Sequence, residues 1–234
     1  MIAFASWLFA LAAAASLPTA KGLHQLQADI PDVGRVRYAI SIPDGFNPAK
    51  PSPLVLVLHP GGGRIPYYGA EFTQRIVEPG LRQLRAVMIA PDCPTASWSD
   101  PPSDKTVMTL INSALAEYSI DRKRVLVVGY SMGGRGTWFM ASQHQDLFTA
   151  AIPMAASARD IPTERLGRQP TYVIHSRADE VVPFEPADRN TRELRKLGRD
   201  VQFEALDAVT HFDMAGYVDA LRRAGRWVAG RWKD

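Results

Sequence analysis

Ser131 lies in the run Gly129-Tyr130-Ser131-Met132-Gly133, between the apolar stretch Arg124-Val125-Leu126-Val127-Val128 and a helix-like stretch from Gly134 to His144. At a sharp strand-to-helix turn a serine hydroxyl is pushed out beyond the strand end. Small residues two positions to either side make room for the turn, and the following helix aims its N-terminus at the site. It is this setting, more than the glycine spacing alone, that marks Ser131 as a nucleophile.

A serine hydroxyl is a weak nucleophile at neutral pH; it needs a base, and the base needs an orienting acid. Three histidines follow Ser131 in the chain. His144 closes the helix that begins at the serine, roughly three turns or about 16 Å away. His175 ends a strand, and its expected role is structural. His211, in Val209-Thr210-His211-Phe212-Asp213, falls in the loop between the last strand and the last helix and is read as the base. The acid should lie between serine and histidine in chain order. Asp179, a few residues past a strand end and ahead of Pro183, fills that place, with Glu180 as runner-up. Its carboxylate would fix one imidazole tautomer and stabilise the imidazolium. An oxyanion needs backbone N–H donors. One is the N–H of Met132; the other is Gly61 or Gly62, in His59-Pro60-Gly61-Gly62-Gly63, where Pro60 has no N–H to offer.

The elements that must position these residues alternate. Strands are expected over Arg35–Ile42, Leu54–Leu58, Ala86–Ala90, Val125–Val128, Ala150–Met154, Thr171–His175 and Val201–Leu206. Helices are expected over Phe72–Arg85 (interrupted at Pro79-Gly80), Lys105–Ser119, Gly134–His144, Pro186–Leu197 and Ala215–Trp232. The continuous apolar run Leu54–Leu58 suits a strand buried on both faces. Such alternation builds an α/β fold, a mostly parallel sheet with helices on both faces, which binds ligands beyond the carboxyl ends of its strands. His59, Pro91, Ser131 and the loops after His175 and Leu206 all fall at such ends.

These pieces resemble the α/β-hydrolase superfamily. Within it, the chain is similar to small esterases grouped with dienelactone hydrolases, polyhydroxybutyrate-depolymerase-like proteins and the catalytic domains of prolyl-oligopeptidase-type peptidases. The segments Gly129–Trp138, His175–Pro183 and Ala90-Pro91-Asp92-Cys93-Pro94 with Trp98 carry the resemblance, which extends over roughly residues 35–232. It implies a Ser131–Asp179–His211 triad, an oxyanion hole from Met132 and the Gly61-Gly62 region, and no cofactor. Pro60 departs from the pattern, since relatives usually carry glycine there. In the resembling esterases an aromatic at the place of Trp98 faces substrate; a packing role is the equal alternative. Tyr130 is a candidate for lining the acyl pocket, with Tyr67 and Tyr68 weaker candidates of the same kind. The implied activity is a serine carboxylesterase acting on short-acyl, phenolic or polysaccharide-linked esters, without a large lid. A peptidase of the same fold and a non-catalytic binding protein are the rival readings.

With 234 residues, 46% hydrophobic and 22% charged, the chain suits one domain with a single core. The net charge of +3 is spread along the chain, so nothing favours nucleic acid as a partner. Gly61-Gly62-Gly63 lacks the Lys-Ser/Thr of a phosphate loop. The histidines show no close metal-ligand spacing, so no metal is expected. Cys93, the single cysteine, excludes an intrachain disulfide and is expected to be a small buried residue. Residues 1–20 begin with an apolar run followed by small residues, although no Lys or Arg precedes it. A signal peptide over 1–20 is expected, with the domain over 21–234, giving a periplasmic or secreted protein without stable membrane anchoring.

Overall fold

The computed structural model describes residues 16–63, 65–159 and 161–232. The expected signal segment therefore lies outside the described residues except for 16–20. Within that remainder, the Leu17 N–H donates to Glu117 Oε2 at 2.6 Å and the Pro18 carbonyl accepts the Tyr118 hydroxyl at 2.6 Å. Among the described residues no helix is long and apolar enough to cross a membrane.

Among the described residues eight strands form one sheet: β1 (Gly22–Ile30), β2 (Gly34–Ile42), β3 (Ser52–Leu58), β4 (Val87–Pro91), β5 (Ile120–Tyr130), β6 (Ala150–Met154), β7 (Thr171–Ser176) and β8 (Val201–Leu206). Their spatial order is β1-β2-β4-β3-β5-β6-β7-β8. β1 and β2 form an antiparallel pair, β2 runs antiparallel to β4, and every pairing from β4 to β8 is parallel. β1 is an addition to the sequence expectation, and its antiparallel edge extends an otherwise parallel sheet.

Side-chain alternation divides the core. On β3, Val55 and Val57 face one layer, built from the helical run 68–84 and α6 (Val218–Arg231). Leu54, Leu56 and Leu58 face the other, built from α3 (Pro101–Glu117) and α4 (Met132–Gln143). α5 (Phe184–Lys196) covers β7 and β8 on that second face through Ala187 and Leu194. The run 68–84 comprises α1 (Tyr68–Phe72), a π-type turn (Thr73–Val77), α2 (Glu78–Leu81) and a final 3-10 turn. Pro79 does not break this run. The widened turn, in which the Glu78 N–H reaches the Thr73 carbonyl, lies where a proline ring would otherwise meet the preceding turn. α3 starts four residues earlier than expected because Pro101 and Pro102 occupy its first turn, where a missing N–H costs nothing. Between β6 and β7 the segment 155–170 carries only a 3-10 turn, Thr163–Arg165, among its described residues.

At the turn from β5 into α4 the backbone is packed too closely for side chains at two glycines. A Cβ on Gly133 would lie 1.9 Å from the Leu58 carbonyl oxygen, and one on Gly129 would lie 2.3 Å from the Gly133 carbonyl oxygen. Only glycine fits at either place. Ser131, between them, is held at φ 55° and ψ −111°, strained backbone for a residue with a side chain. Its N–H donates to the Met154 carbonyl and its carbonyl accepts the Arg135 N–H, both at 3.0 Å.

Candidate active site

Three loops at the carboxyl edge of the sheet bring Ser131, His211 and Asp179 together. His211 Nε2 lies 2.9 Å from Ser131 Oγ, and His211 Nδ1 lies 2.9 Å from Asp179 Oδ2. An ionised carboxylate only accepts, so Nδ1 carries the proton and Nε2 is left to accept from the serine hydroxyl. The Asp179 side chain is fully buried, and that of His211 is 8% exposed. Asp179 Oδ1 accepts the N–H groups of Val181 and Val182 at 3.0 and 2.7 Å, which fixes the carboxylate by its own loop.

Glu180 takes a different part. Its Oε2 accepts the His211 backbone N–H at 2.9 Å, while the Tyr130 hydroxyl donates to the His211 carbonyl at 2.8 Å. The imidazole is thus held at its ring by Asp179 and at both ends of its main chain by other residues. Tyr130 is 1% exposed and packs edge-on against Tyr217, with ring centroids 4.9 Å apart. This corrects the expectation that Tyr130 lines a substrate pocket: the side chain points into the core, and burial pushes its hydroxyl pKa upward. His175 is structural, as expected. Its Nε2–H donates to the Val182 carbonyl at 3.0 Å and also lies 3.4 Å from Asp179 Oδ2. Burial holds its pKa below the ordinary value, so it stays neutral and acts as a strut for the Asp179 loop. His144 pairs instead with Asp104, at 2.6 Å.

On the other side of Ser131, the chain from His59 to Gly63 crosses Met132; a Cβ on Gly61 would lie 3.8 Å from Met132 Cβ. His59 anchors this crossing, a part that sequence reasoning missed. Its Nδ1–H donates to the Pro60 carbonyl at 2.7 Å, and its Nε2 accepts the Cys93 N–H at 2.9 Å. Its carbonyl accepts the Trp98 indole N–H at 3.0 Å. A histidine directly ahead of a proline–glycine turn at a strand end was the available signal. Trp98 is 0% exposed, which corrects the reading in which it faces substrate. A Cβ on Gly136 would lie 2.5 Å from Trp98 Cβ, so the residue is wedged against α4. Cys93, expected to be buried, is half-exposed and shares a cleft of about 360 Å³ with Gly61, Gly62, Thr95 and Met132. Of the two further tyrosines, Tyr67 donates its N–H to Asp92 and Tyr68 packs on the His59 ring. Among the described residues no three His, Cys, Asp or Glu side chains gather closely enough to hold a metal ion.

A pH dependence of stability follows from His59 and His175. Burial lowers both pKa values below the ordinary 6.5. The unfolded chain therefore binds these protons first, and stability rises with pH between the lowered folded values and about 6.5. It is fully present above that window and lost as pH falls through it. The melting temperature should fall between about pH 7.5 and about pH 5.5, and fall less in His59→Gln, whose side chain does not titrate. A flat profile in the unaltered protein would contradict this.

Comparison with known proteins adds family and fold. Residues 95–216 match the model of the dienelactone hydrolase family. A relative is the probable feruloyl esterase C of Aspergillus flavus, 25% identical over 162 residues that cover 63% of this chain and 56% of that protein. The chain thus spans about half the length of the curated relatives it matches. Among solved structures, a thermostable esterase is 28% identical with a TM-score of 0.70, over 91% of this chain and 60% of the other. An α/β serine hydrolase without lid from Xanthomonas campestris shares the fold at 18% identity and a TM-score of 0.67, over 93% and 97% of the two chains.

Proposed function

The chain belongs to the dienelactone hydrolase family, and on that premise we propose that it is a serine carboxylesterase. The observation that carries this reading is the hydrogen-bonded series Ser131 Oγ, His211 Nε2, His211 Nδ1 and Asp179 Oδ2, with 2.9 Å at both junctions. As His211 Nε2 takes its proton, Ser131 Oγ attacks the ester carbonyl carbon. The tetrahedral oxyanion accepts from the Met132 N–H and from Gly61 or Gly62. Collapse expels the alcohol, which takes its proton from His211, and leaves an acyl group on Ser131. A water then gives a proton to His211 and attacks the acyl carbon, restoring the serine. Asp179 stabilises the imidazolium at both stages. The reaction needs no cofactor.

Short-acyl, phenolic (feruloyl) and polysaccharide-linked esters are the proposed substrates. An open edge with only a short segment between β6 and β7 supports esters presented on a larger body, and the names of the fungal relatives point to feruloyl groups. Export through residues 1–20, to the periplasm or outside the cell, would place the protein among such substrates. The test is hydrolysis of p-nitrophenyl acetate, methyl ferulate and a long-chain triglyceride, with fluorophosphonate labelling mapped by peptide mass. Turnover of the first two and a label on Ser131 are expected. Preference for the triglyceride would end the substrate reading, and absence of the label would end the mechanism.

A further inference from the structure

Residues 16–20 precede β1 and carry no helix or strand of their own, yet they are fastened to the domain. The Leu17 N–H donates to Glu117 Oε2 and the Tyr118 hydroxyl donates to the Pro18 carbonyl, both at 2.6 Å. Each bond joins residues 100 positions apart in the chain, at the end of α3, so neither is a product of local turn geometry. His24 Nε2–H adds a third tie, to the Ala20 carbonyl at 2.7 Å. The half-buried Leu17 side chain packs on the core layer that contains Tyr118. Tyr118 is itself buried, with its ring edge-on to Phe46 at 5.2 Å between centroids.

Removing residues 16–20 would strip the Pro18 carbonyl from the Tyr118 hydroxyl, the Ala20 carbonyl from His24 and the Leu17 side chain from the core. A segment placed in this way belongs to the folded domain rather than to a leader that is discarded. The residue types agree. Leader peptidases cut after a stretch with small residues at its last and third-last positions. A cut after Ala20 puts Pro18 at the third-last position. A cut after Ala15 puts Ala13 and Ala15 at the two positions, directly behind the apolar run.

We propose that the export segment ends at Ala15, where a leader peptidase hydrolyses the Ala15–Ser16 bond, and that Leu17–Ala20 stay in the mature protein as a strap across Tyr118. Water adds across the peptide bond: its oxygen joins the Ala15 carbonyl carbon, which leaves as a carboxylate, and the Ser16 nitrogen becomes an α-ammonium. The new positive charge lies one residue from Glu117, whose carboxylate already accepts the Leu17 N–H, and opposite charges so placed attract. This rests on the export reading above and sets the end of the leader earlier than residue 20.

The full chain is produced in a bacterial host with a periplasm, recovered from that compartment, and its N-terminus read by intact mass and terminal sequencing. A terminus at Ser16 is expected, kept in Ala20→Leu and lost in Ala15→Leu. A terminus at Lys21, or processing blocked by Ala20→Leu, overturns the cut while leaving export in place. The strap is read by thermal melts of the same protein carrying Leu17→Ala or Tyr118→Phe. Each should melt roughly 2–6 °C lower, the one through lost apolar burial and the other through the lost bond to Pro18. Unchanged melting in both variants overturns the strap. If the chain stays inside the cell with residues 1–15 attached, the export reading fails and the cut with it, and the two melts on that longer chain still decide whether residues 16–20 belong to the fold.

Discussion

Ser131→Ala is expected to lower kcat on ester substrates by a factor on the order of 10⁶ and to leave the fold in place. The kinetic part follows from the proposed reaction, in which no acyl-enzyme forms without Oγ and the donors near Met132 could only favour slow attack by water. The structural part follows from the contacts. The strained turn is held by main-chain bonds from the Ser131 N–H to Met154 and from the Arg135 N–H to Ser131. Alanine makes both bonds and suffers the same backbone strain that serine does. Among the described residues Oγ has one hydrogen-bond partner, His211 Nε2, at 2.9 Å. Its loss is expected to change stability by less than about 1 kcal/mol. His211→Ala should be nearly as severe, and the double variant no worse than either alone, because the groups act as one unit. Initial rates on p-nitrophenyl acetate, beside thermal melts, check all three. A fall of less than about a hundredfold in a folded Ser131→Ala protein would place the nucleophile elsewhere.

How much of this was legible in the sequence depends on what each signal encodes. Continuous apolar runs marked the parallel strands because both faces are covered. The order Ser131, Asp179, His211 placed three loops on one edge because a parallel sheet sends every such loop to the same side. β1 escaped notice although Gln25, Gln27 and Asp29 are exposed and alternate with the less exposed Leu26, Ala28 and Ile30. A small residue such as Ala28 weakens the alternation. Tyr130 sits at the expected strand end but points inward instead of toward substrate, and for Trp98 the structure decides for packing between two equal readings. For Tyr130 the information was present: Leu126, Val128 and Tyr130 are two apart on one strand and share one core. For Trp98 it was absent, since its burial depends on Gly136 and His59, which come from distant parts of the chain. The choice between Asp179 and Glu180 was also beyond the sequence, because neighbouring loop carboxylates differ only in where the loop turns them.

Asp179→Asn separates those two carboxylates. Oδ1 accepts two backbone N–H groups, from Val181 and Val182, and an amide oxygen can keep both. The loop therefore fixes the orientation of the new amide and turns its NH₂ group toward His211 Nδ1. That nitrogen must now accept, so the ring proton moves to Nε2, the atom that should take the proton of Ser131. The base is lost by a tautomer change with every heavy atom in place, and kcat is expected to drop by roughly 10⁴ while the melting temperature holds. His175 does not rescue it, since its Nε2–H is committed to the Val182 carbonyl. Glu180→Gln keeps an oxygen for the His211 backbone N–H and should cost less than about tenfold, because it disturbs the position of the ring without touching its proton. Measured together, kcat and thermal melts of the two variants assign the acid. Full activity in Asp179→Asn with a large loss in Glu180→Gln would reverse the assignment and make Glu180 the residue that governs the imidazole.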